Sequence, residues 1–342
     1  MSERAIAELL PAVPIPMVLV GRDHRIAAAN DQALALLGDR VTGRHCAMAF
    51  RQPALLQAVE AGLEQAAIGT ARFTQTGPSH EVTHRVTVTP CSWGVLLAFQ
   101  DMTEIEQISQ LRRDFVANVS HELRSPLTAL LGFIETLQGP ARDDPVARER
   151  FLVIMSREAG RMTRIVRDLL SLSRVESEER VRPTGRVDLA ALVSSAVQTL
   201  RPLAESQSIA LTVEGASEPV FAAADPDQIT QVFTNLIENA LKYGGTGKRV
   251  VVSLERREGV PGFPCKVAAI SVQDWGEGID EVHLPRLTER FYRVDSHRSR
   301  EKGGTGLGLA IVKHIIHRHR GRLKIISHKG EGSRFTVFLP LD

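Results

Sequence analysis

Cysteine is scarce in this chain of 342 residues: Cys46, Cys91 and Cys265 are the three, widely spaced. Their odd number and the lack of any CxxC pair argue against a disulfide framework or a cysteine-based metal site, and suggest ordinary buried thiols in a reducing compartment. Charge of one sign is lacking too. The 42 Lys and Arg against 40 Asp and Glu leave a formal charge of +2, so no field draws the chain toward nucleic acid or a membrane surface. Nor is there a long apolar run. The stretch from Ala5 to Val20 holds Glu8, Pro11, Pro14 and Pro16, falls short of the roughly 20 apolar residues of a membrane helix, and starts without a signal-peptide pattern. The expectation is a cytoplasmic chain with no membrane span and no nucleic-acid partner, peripheral attachment to a membrane partner being left open.

Two familiar phosphate-binding signatures are missing as well. Gly304, Gly306 and Gly308 alternate strictly and lack the third-glycine spacing of a dinucleotide fingerprint. Gly244-Gly-Thr-Gly-Lys248-Arg249 lacks the Ser or Thr that a P-loop needs after its Lys. What is present is the composition of an ordinary globular protein, 43% hydrophobic and 24% charged. Its length calls for two or three domains, since single cores rarely grow beyond about 250 to 300 residues.

Three segments follow from the patterning. Pro14 to about Asp101 reads as a small mixed α/β domain: an apolar run Met17 to Val20, a turn at Gly21 to His24, and a helix over Asp31 to Leu37 ended by Gly38. Alternation from Glu81 to Thr89 is interrupted at Pro90, before a second apolar run from Trp93 to Gln100. Residues 104–177 carry no strand signal and read as two long helices joined near Gly139 to Pro145. Phe115, Val119, Leu123, Pro126, Leu130, Phe133 and Leu137 form one apolar stripe; Met155, Ala159, Met162, Val166 and Leu169 form another. A lone helical hairpin buries too little surface, so two copies of the chain completing a four-helix bundle are expected. Packing against the rest of the same chain is the alternative. Arg157, Arg161, Arg164 and Arg167 are read as a solvated face. From Val187 onward helices over Leu189 to Ala204 and Asp227 to Tyr243 mix with strands near Val250 to Leu254, Val267 to Val272, Leu323 to Ile326 and Phe335 to Leu339, an α/β sandwich.

The chemistry concentrates in five places. His121 is followed directly by Glu122, an imidazole with a carboxylate that can take its proton, and Pro126 should bend the helix just beyond. A lone histidine among 11 is more often a surface or core residue, so the remaining motifs must carry it. Asn235 and Asn239 stand one helical turn apart, placed to hold a hydrated Mg²⁺, with Lys242 a turn further toward phosphate. Asp274, with Gly276 and Gly278 following a strand, can accept the exocyclic amino hydrogen of adenine while the backbone approaches a planar ligand. Gly304, Gly306, Gly308 and Leu309 open a helix whose first amides suit phosphate oxygens. Between these glycine clusters lies a cationic stretch, Arg290, Arg293, His297, Arg298, Arg300 and Lys302, able to fold over a nucleotide as a lid.

In that order the motifs resemble those of sensor histidine kinases of bacterial two-component systems. Phe115 to Thr128 is similar to the family's H box, Asn235 to Tyr243 to its N box, Asp274 to Ile279 to its G1 box, Arg290 to Asp295 to its F box and Gly304 to Leu309 to its G2 box. Phe115-Val-Ala-Asn-Val-Ser-His121-Glu-Leu-Arg and Phe291-Tyr-Arg-Val-Asp resemble the phosphate-regulon sensor kinases in particular, and the N-terminal segment resembles a PAS sensor domain through Asn30 and the closing Phe99-Gln-Asp101-Met-Thr103.

The resemblance implies a multidomain α+β chain: a PAS-like domain over 1–103, a dimeric helical-hairpin phosphotransfer domain over 104–180, and an ATP-binding α/β sandwich of the gyrase, heat-shock-chaperone and histidine-kinase (GHKL) type over 181–342. It implies that Asn239 binds Mg²⁺, that Asn235, Lys242 and Tyr243 contact phosphates or ribose, and that Asp274 recognises adenine. His121 would then attack the γ-phosphate of ATP with Glu122 as base and Arg293 stabilising the transferred charge, and pass the phosphoryl group to an Asp of a response regulator receiver domain. Ser125, four after the His, departs from the family's usual Thr or Asn and leaves regulator dephosphorylation open. Two competitors remain. A GHKL-type ATPase carries a Glu where this chain has Asn235, and a non-catalytic ATP-binding PAS adaptor has no use for an intact His121-Glu122 pair.

Overall fold

The computed structural model describes residues 10–76, 81–179, 181–215, 217–294 and 304–341. These fall into two compact units that divide between Val116 and Ala117.

In the first unit strands β1 (Met17–Gly21) and β2 (Ile26–Ala29) precede helices α1 (Asp31–Leu37), α2 (Cys46–Ala49) and α3 (Pro53–Gln65), and β3 (Gly69–Thr76), β4 (Glu81–Cys91) and β5 (Gly94–Asp101) complete the sheet. All neighbours are antiparallel in the order β2-β1-β5-β4-β3. Alternation along β5 sends Val95, Leu97 and Phe99 to one face, where Phe50, Leu55 and Val59 cover them. Asn30 starts α1 by accepting from Ala33 N at 3.0 Å, and the same buried amide accepts from Met17 N and donates to Ile15 O. Pro90 does not interrupt its strand. Because β3 pairs with β4 only as far as Val88, Pro90 has a neighbour on one side alone, where a missing N–H is tolerated.

Helix α4 (Thr103–Gln138) and helix α5 (Pro145–Glu178) form the hairpin. Asp144 caps α5 by accepting from Val146 N and Ala147 N, with Pro145 at the first helical position. Helix α4 runs on unbroken through Pro126. Every residue of the stripe expected on α4 is buried or half-buried. The stripe expected on α5 is corrected: Ala159 and Val166 are exposed, whereas Ile165, Leu172 and Val175 are buried. Each helix in fact has two apolar rows. The outer ones, Leu127, Leu131 and Ile134 on α4 and Leu152, Val166 and Leu170 on α5, are exposed.

Beyond the hairpin come β6 (Arg186–Asp188), α6 (Leu189–Ser206), β7 (Ala210–Glu214), β8 (Phe221–Ala223), α7 (Pro226–Tyr243), β9 (Arg249–Arg257), β10 (Val267–Asp274), α8 (Gly308–Arg318), β11 (Arg322–His328) and β12 (Gly332–Pro340). The main sheet runs β11-β12-β10-β9-β7, with β7 parallel to β9 and the other pairs antiparallel. Helices α7 and α8 lie on it, burying Ile229, Phe233, Leu236, Ile311 and Ile315 against Val252, Ile270 and Val337. Among the described residues no helix is long and apolar enough to cross a membrane.

Candidate active site

The motifs that lie far apart in sequence interlock. Asn235, halfway along α7, donates its amide hydrogen to Gly308 O at 3.3 Å, joining α7 to the start of α8. Asn239 is half-buried one turn on, and Lys242 Nζ is held by Glu238 Oε2 at 2.8 Å. Tyr243 is 40% exposed. At the end of α7, Gly244 packs so closely on Asp274 that a Cβ there would collide with its side chain. Gly276 in turn lies against the Gly244 backbone and the Tyr243 carbonyl, and Gly278 (φ 64°) against the His328 carbonyl. Gly306 (φ 74°) abuts Phe291, whose N–H donates to Gly306 O at 2.8 Å and whose own φ of 63° is left-handed. The glycines at 276, 278 and 306 therefore serve close approach of one protein segment to another, a physical reason for glycine that the sequence reading assigned to the nucleotide alone. Gly304 and Leu309 flank this contact, and Leu307 N donates to Thr305 Oγ.

Asp274 is 5% exposed at the end of β10, and its Oδ1 accepts from Gly276 N at 2.9 Å. Burial pushes its carboxyl above the ordinary carboxylate range, opposed by the backbone N–H groups of Gly276 and Ser333. An acceptor so enclosed suits the amino group of a purine. Asn235 and Asn239, spaced one turn apart beside a paired Lys242, give an oxygen-rich donor set suited to a hard divalent cation carrying phosphates. No cluster of three or more acidic, His or Cys ligands occurs among the described residues, so a cation here would take much of its shell from phosphate and water.

On the hairpin, His121 is exposed, and Ser125 donates its hydroxyl hydrogen to the His121 carbonyl at 3.2 Å. Glu122, next in sequence, is nearly buried. Its Oε2 accepts from Arg161 Nη2 at 2.6 Å and from Arg293 Nη2 at 3.1 Å, all three side chains being nearly buried. Arg161 thus departs from the expected solvated face, while Arg157, Arg164 and Arg167 are exposed as expected. Of the expected lid, Arg290 pairs with Glu176 at 2.6 Å and Arg293 with Glu122; Asp295, His297, Arg298, Arg300 and Lys302 lie outside the described residues.

Further bonds fasten α5 to the sandwich. Thr305 donates to Asp168 Oδ2 at 2.7 Å, Ser171 bonds Gln231 at 3.0 Å, Arg318 meets Glu178 at 3.1 Å and His317 meets Glu179 at 2.6 Å. Burial raises the Asp168 carboxyl above its ordinary range, opposed by the Thr305 hydrogen bond and the Lys242 charge. His319, 1% exposed, accepts from Asp225 N at 3.0 Å through Nε2 and donates from Nδ1 to Ile315 O, and burial pushes its imidazole below the usual value.

Arg161 and Asp168 were missed from the sequence. A signal existed for Arg161: it occupies a core position of α5, four residues before buried Ile165. Asp168 has none, since its partner lies 137 residues away.

Residues 111–178 match the model of the His Kinase A (phospho-acceptor) domain, and residues 224–342 that of the histidine kinase-, DNA gyrase B-, and HSP90-like ATPase. The chain is 41% identical over 241 residues to the phosphate regulon sensor protein PhoR of Pseudomonas aeruginosa, covering 70% of this chain and 53% of that protein. It is 37% identical over 249 residues to the sensor protein kinase WalK of Staphylococcus saprophyticus, covering 73% and 40%. The chain therefore spans about half the length, or less, of these relatives. Histidine kinase ThkA, solved in complex with the response regulator protein TrrA, is similar in fold over 100% of this chain and 99% of that one, with a TM-score of 0.52 and 22% identity.

Proposed function

The chain belongs to the sensor histidine kinases of two-component systems, and we propose that it moves the γ-phosphoryl group of ATP onto His121 and then onto an aspartate of a response regulator. The observation that carries this reading is the bond between Arg293 of the sandwich and Glu122, the residue next to His121. A nucleotide domain whose guanidinium reaches the neighbour of a solvent-accessible imidazole has the parts for in-line transfer.

In this reading Asp274 accepts the adenine amino hydrogen, Asn235, Lys242 and Tyr243 take phosphate or ribose, and the amides of Gly304 to Leu309 face the phosphate chain. Mg²⁺, held by Asn239 and phosphate oxygens, would neutralise charge on the β- and γ-phosphates. The imidazole nitrogen of His121 forms the new bond to phosphorus, the bond to the bridging oxygen breaks, ADP leaves, and Glu122 takes the imidazole proton. Arg293 turns from Glu122 to the transferred group. Ser125, already bonded to the His121 carbonyl, supplies a hydroxyl for regulator dephosphorylation.

The exposed rows on α4 and α5 support a homodimer with a four-helix bundle. The receiver-domain partner is carried over from the ThkA complex and the phosphate pathway from the relative at 41% identity. Strand order β2-β1-β5-β4-β3 with helices between β2 and β3 supports a PAS-like reading of 1–103, followed by a phosphotransfer hairpin over 104–180 and the ATP-binding segment over 181–342.

The test is incubation of the protein with γ-labelled ATP and Mg²⁺. The expected label is acid-labile and base-stable, and lost in His121→Gln; label that persists in that variant sinks the assignment.

A further inference from the structure

The formal charge of +2 conceals a local excess of cations. Away from Gly308, at the other end of α8, lies an open groove of about 670 Å³. It is lined by Arg318 and Arg320 at and just past the end of that helix, by Arg322 at the start of β11, by Arg182 in the connection from α5 to β6, and by Phe263. The length of α8 puts about 15 Å between this groove and the segment expected to meet nucleotide phosphates. Glu179 also lines the groove but is engaged by His317 at 2.6 Å and His314 at 3.5 Å, and Arg318 is matched by Glu178 at 3.1 Å and Asp225 at 3.7 Å. Arg182, Arg320 and Arg322 are exposed and make no ion pair among the described residues.

Two of these three are held in place. Arg322 donates from Nη1 to Pro261 O at 2.8 Å, its guanidinium lies over the Phe263 ring at 5.4 Å, and it packs on Gly262, where a Cβ would collide with Nη2. Arg320 follows the C-cap His319 with a φ of 53°, the left-handed position after a helix that favours glycine, yet the chain carries arginine there and glycine only at 321. Cations answering the negative end of the α8 dipole would account for Arg318 and Arg320. They do not account for Arg182 and Arg322, which belong to other elements, and carbonyls of the last turn are already met by Gly321 N to Ile316 O at 2.8 Å and Arg320 N to His317 O at 2.9 Å.

We propose that this groove is a second anion site, which binds a multiply charged phosphate anion through its oxygens between Arg182, Arg320 and Arg322. Guanidinium forks match phosphate oxygens two at a time. Like charges gathered in one groove repel one another, and a bound anion relieves that repulsion. The Phe263 ring is taken up by Arg322 and Phe338, so it does not stack on a base, and recognition falls to the phosphate groups alone. Because Arg182 lies on the connection and the other two on the sandwich, the anion ties the end of the hairpin to the sandwich. The inference stands apart from the kinase reading.

The experiment titrates the full chain by calorimetry with sodium pyrophosphate and, separately, with glycerol phosphate, at fixed ionic strength and in EDTA so that no Mg²⁺ anchors phosphate at Asn239. Pyrophosphate is expected to saturate one site with a Kd below about 1 mM. The double variant Arg182→Gln/Arg320→Gln is expected to weaken it by about tenfold or more, the scale of losing charge-assisted hydrogen bonds, whereas Lys242→Gln leaves this binding as it is. Glycerol phosphate binding as tightly would assign the site to phosphate esters, and binding of pyrophosphate alone would assign it to condensed inorganic phosphate; either bears the inference out. Arg320→Gly removes a cation and suits the left-handed backbone, so it should melt no lower than wild type while binding pyrophosphate more weakly. No saturation below about 1 mM in wild type, equal affinity in the double variant, or affinity lost only in variants that melt below wild type overturns the inference. Loss of binding in Lys242→Gln overturns it too, by placing the anion at the nucleotide site.

Discussion

Thr305, in the glycine segment of the sandwich, donates its hydroxyl hydrogen to Asp168 Oδ2 of the second hairpin helix at 2.7 Å. The bond joins the segment expected to meet phosphate with the helix that packs against His121's own. Burial holds the Asp168 carboxyl above the ordinary carboxylate range, so the folded chain binds a proton that the unfolded chain has released. Stability from this group is present below the ordinary carboxylate range and lost as pH rises through the raised value. Asp168→Asn keeps an acceptor for Thr305 and cannot ionise. Its melting temperature is expected to exceed that of wild type at pH 8, and the gap to close toward pH 4. A gap that stays constant across that range would show that the carboxylate charge is fully compensated.

Asp274 offers a sharper test of nucleotide recognition. Asp274→Asn is expected to weaken ATP binding by about ten- to a hundredfold, the scale of losing a hydrogen bond to a charged acceptor. Inorganic tripolyphosphate, which has no adenine, should bind the variant and wild type equally. Parallel losses for both ligands would refute adenine recognition by this residue.

Gly278 and Gly330 separate conformation from collision. Both have positive φ, 64° and 90°, but a Cβ at 278 would fall on the His328 carbonyl, whereas nothing lies near one at 330. Gly330→Ala should cost about 1 kcal/mol, and Gly278→Ala more than about 2 kcal/mol, because backbone must move. Urea midpoints read the difference. Equal losses would mean that the segment at 278 yields freely.

The outer rows of the hairpin predict assembly. Leu131 is 53% exposed and Leu170 68% exposed in the single chain. Leu131→Glu combined with Leu170→Glu should leave a species of 37.5 kDa in sedimentation equilibrium where wild type shows twice that mass. A wild-type monomer at micromolar concentration would remove the bundle.

His319 gives the sandwich a pH limit. Its imidazole is pushed down by burial from an ordinary value of 6.5. Below about that pH the unfolded chain takes up a proton that the folded chain refuses, so stability falls as pH drops. The urea midpoint of wild type should decline between pH 7.5 and 5.5, and that of His319→Gln should decline less. Identical slopes would assign the acid limb to other groups.

Much of this was legible in the sequence where spacing alone sets geometry. Asn235 and Asn239 share a helical face because they are four apart, and α1, α6 and α7 lie within two residues of their expected ends because Asn30, Asp188 and Asp225 cap them. Relationships formed across the fold were not legible. Strand β7 has only Leu211 and Val213 turned inward, an alternation too short to announce a strand, and its parallel partner β9 lies beyond a helix. Arg161 read as one of four surface cations because Glu122 stands 39 residues away. The glycines at 276, 278 and 306 were legible as glycines, but the backbones they make room for come from other segments.

Helices α7 and α8 are joined at two points, by Asn235, halfway along α7, to Gly308 O at the start of α8, and by Asp225 N at the cap of α7 to His319 just past the end of α8. Such a doubly pinned pair cannot splay, so it presents α5 with one stiff face. The contacts of Ser171, Glu178 and Glu179 all fall on that face, so detachment of the hairpin from the sandwich is expected to be cooperative, these bonds being lost together.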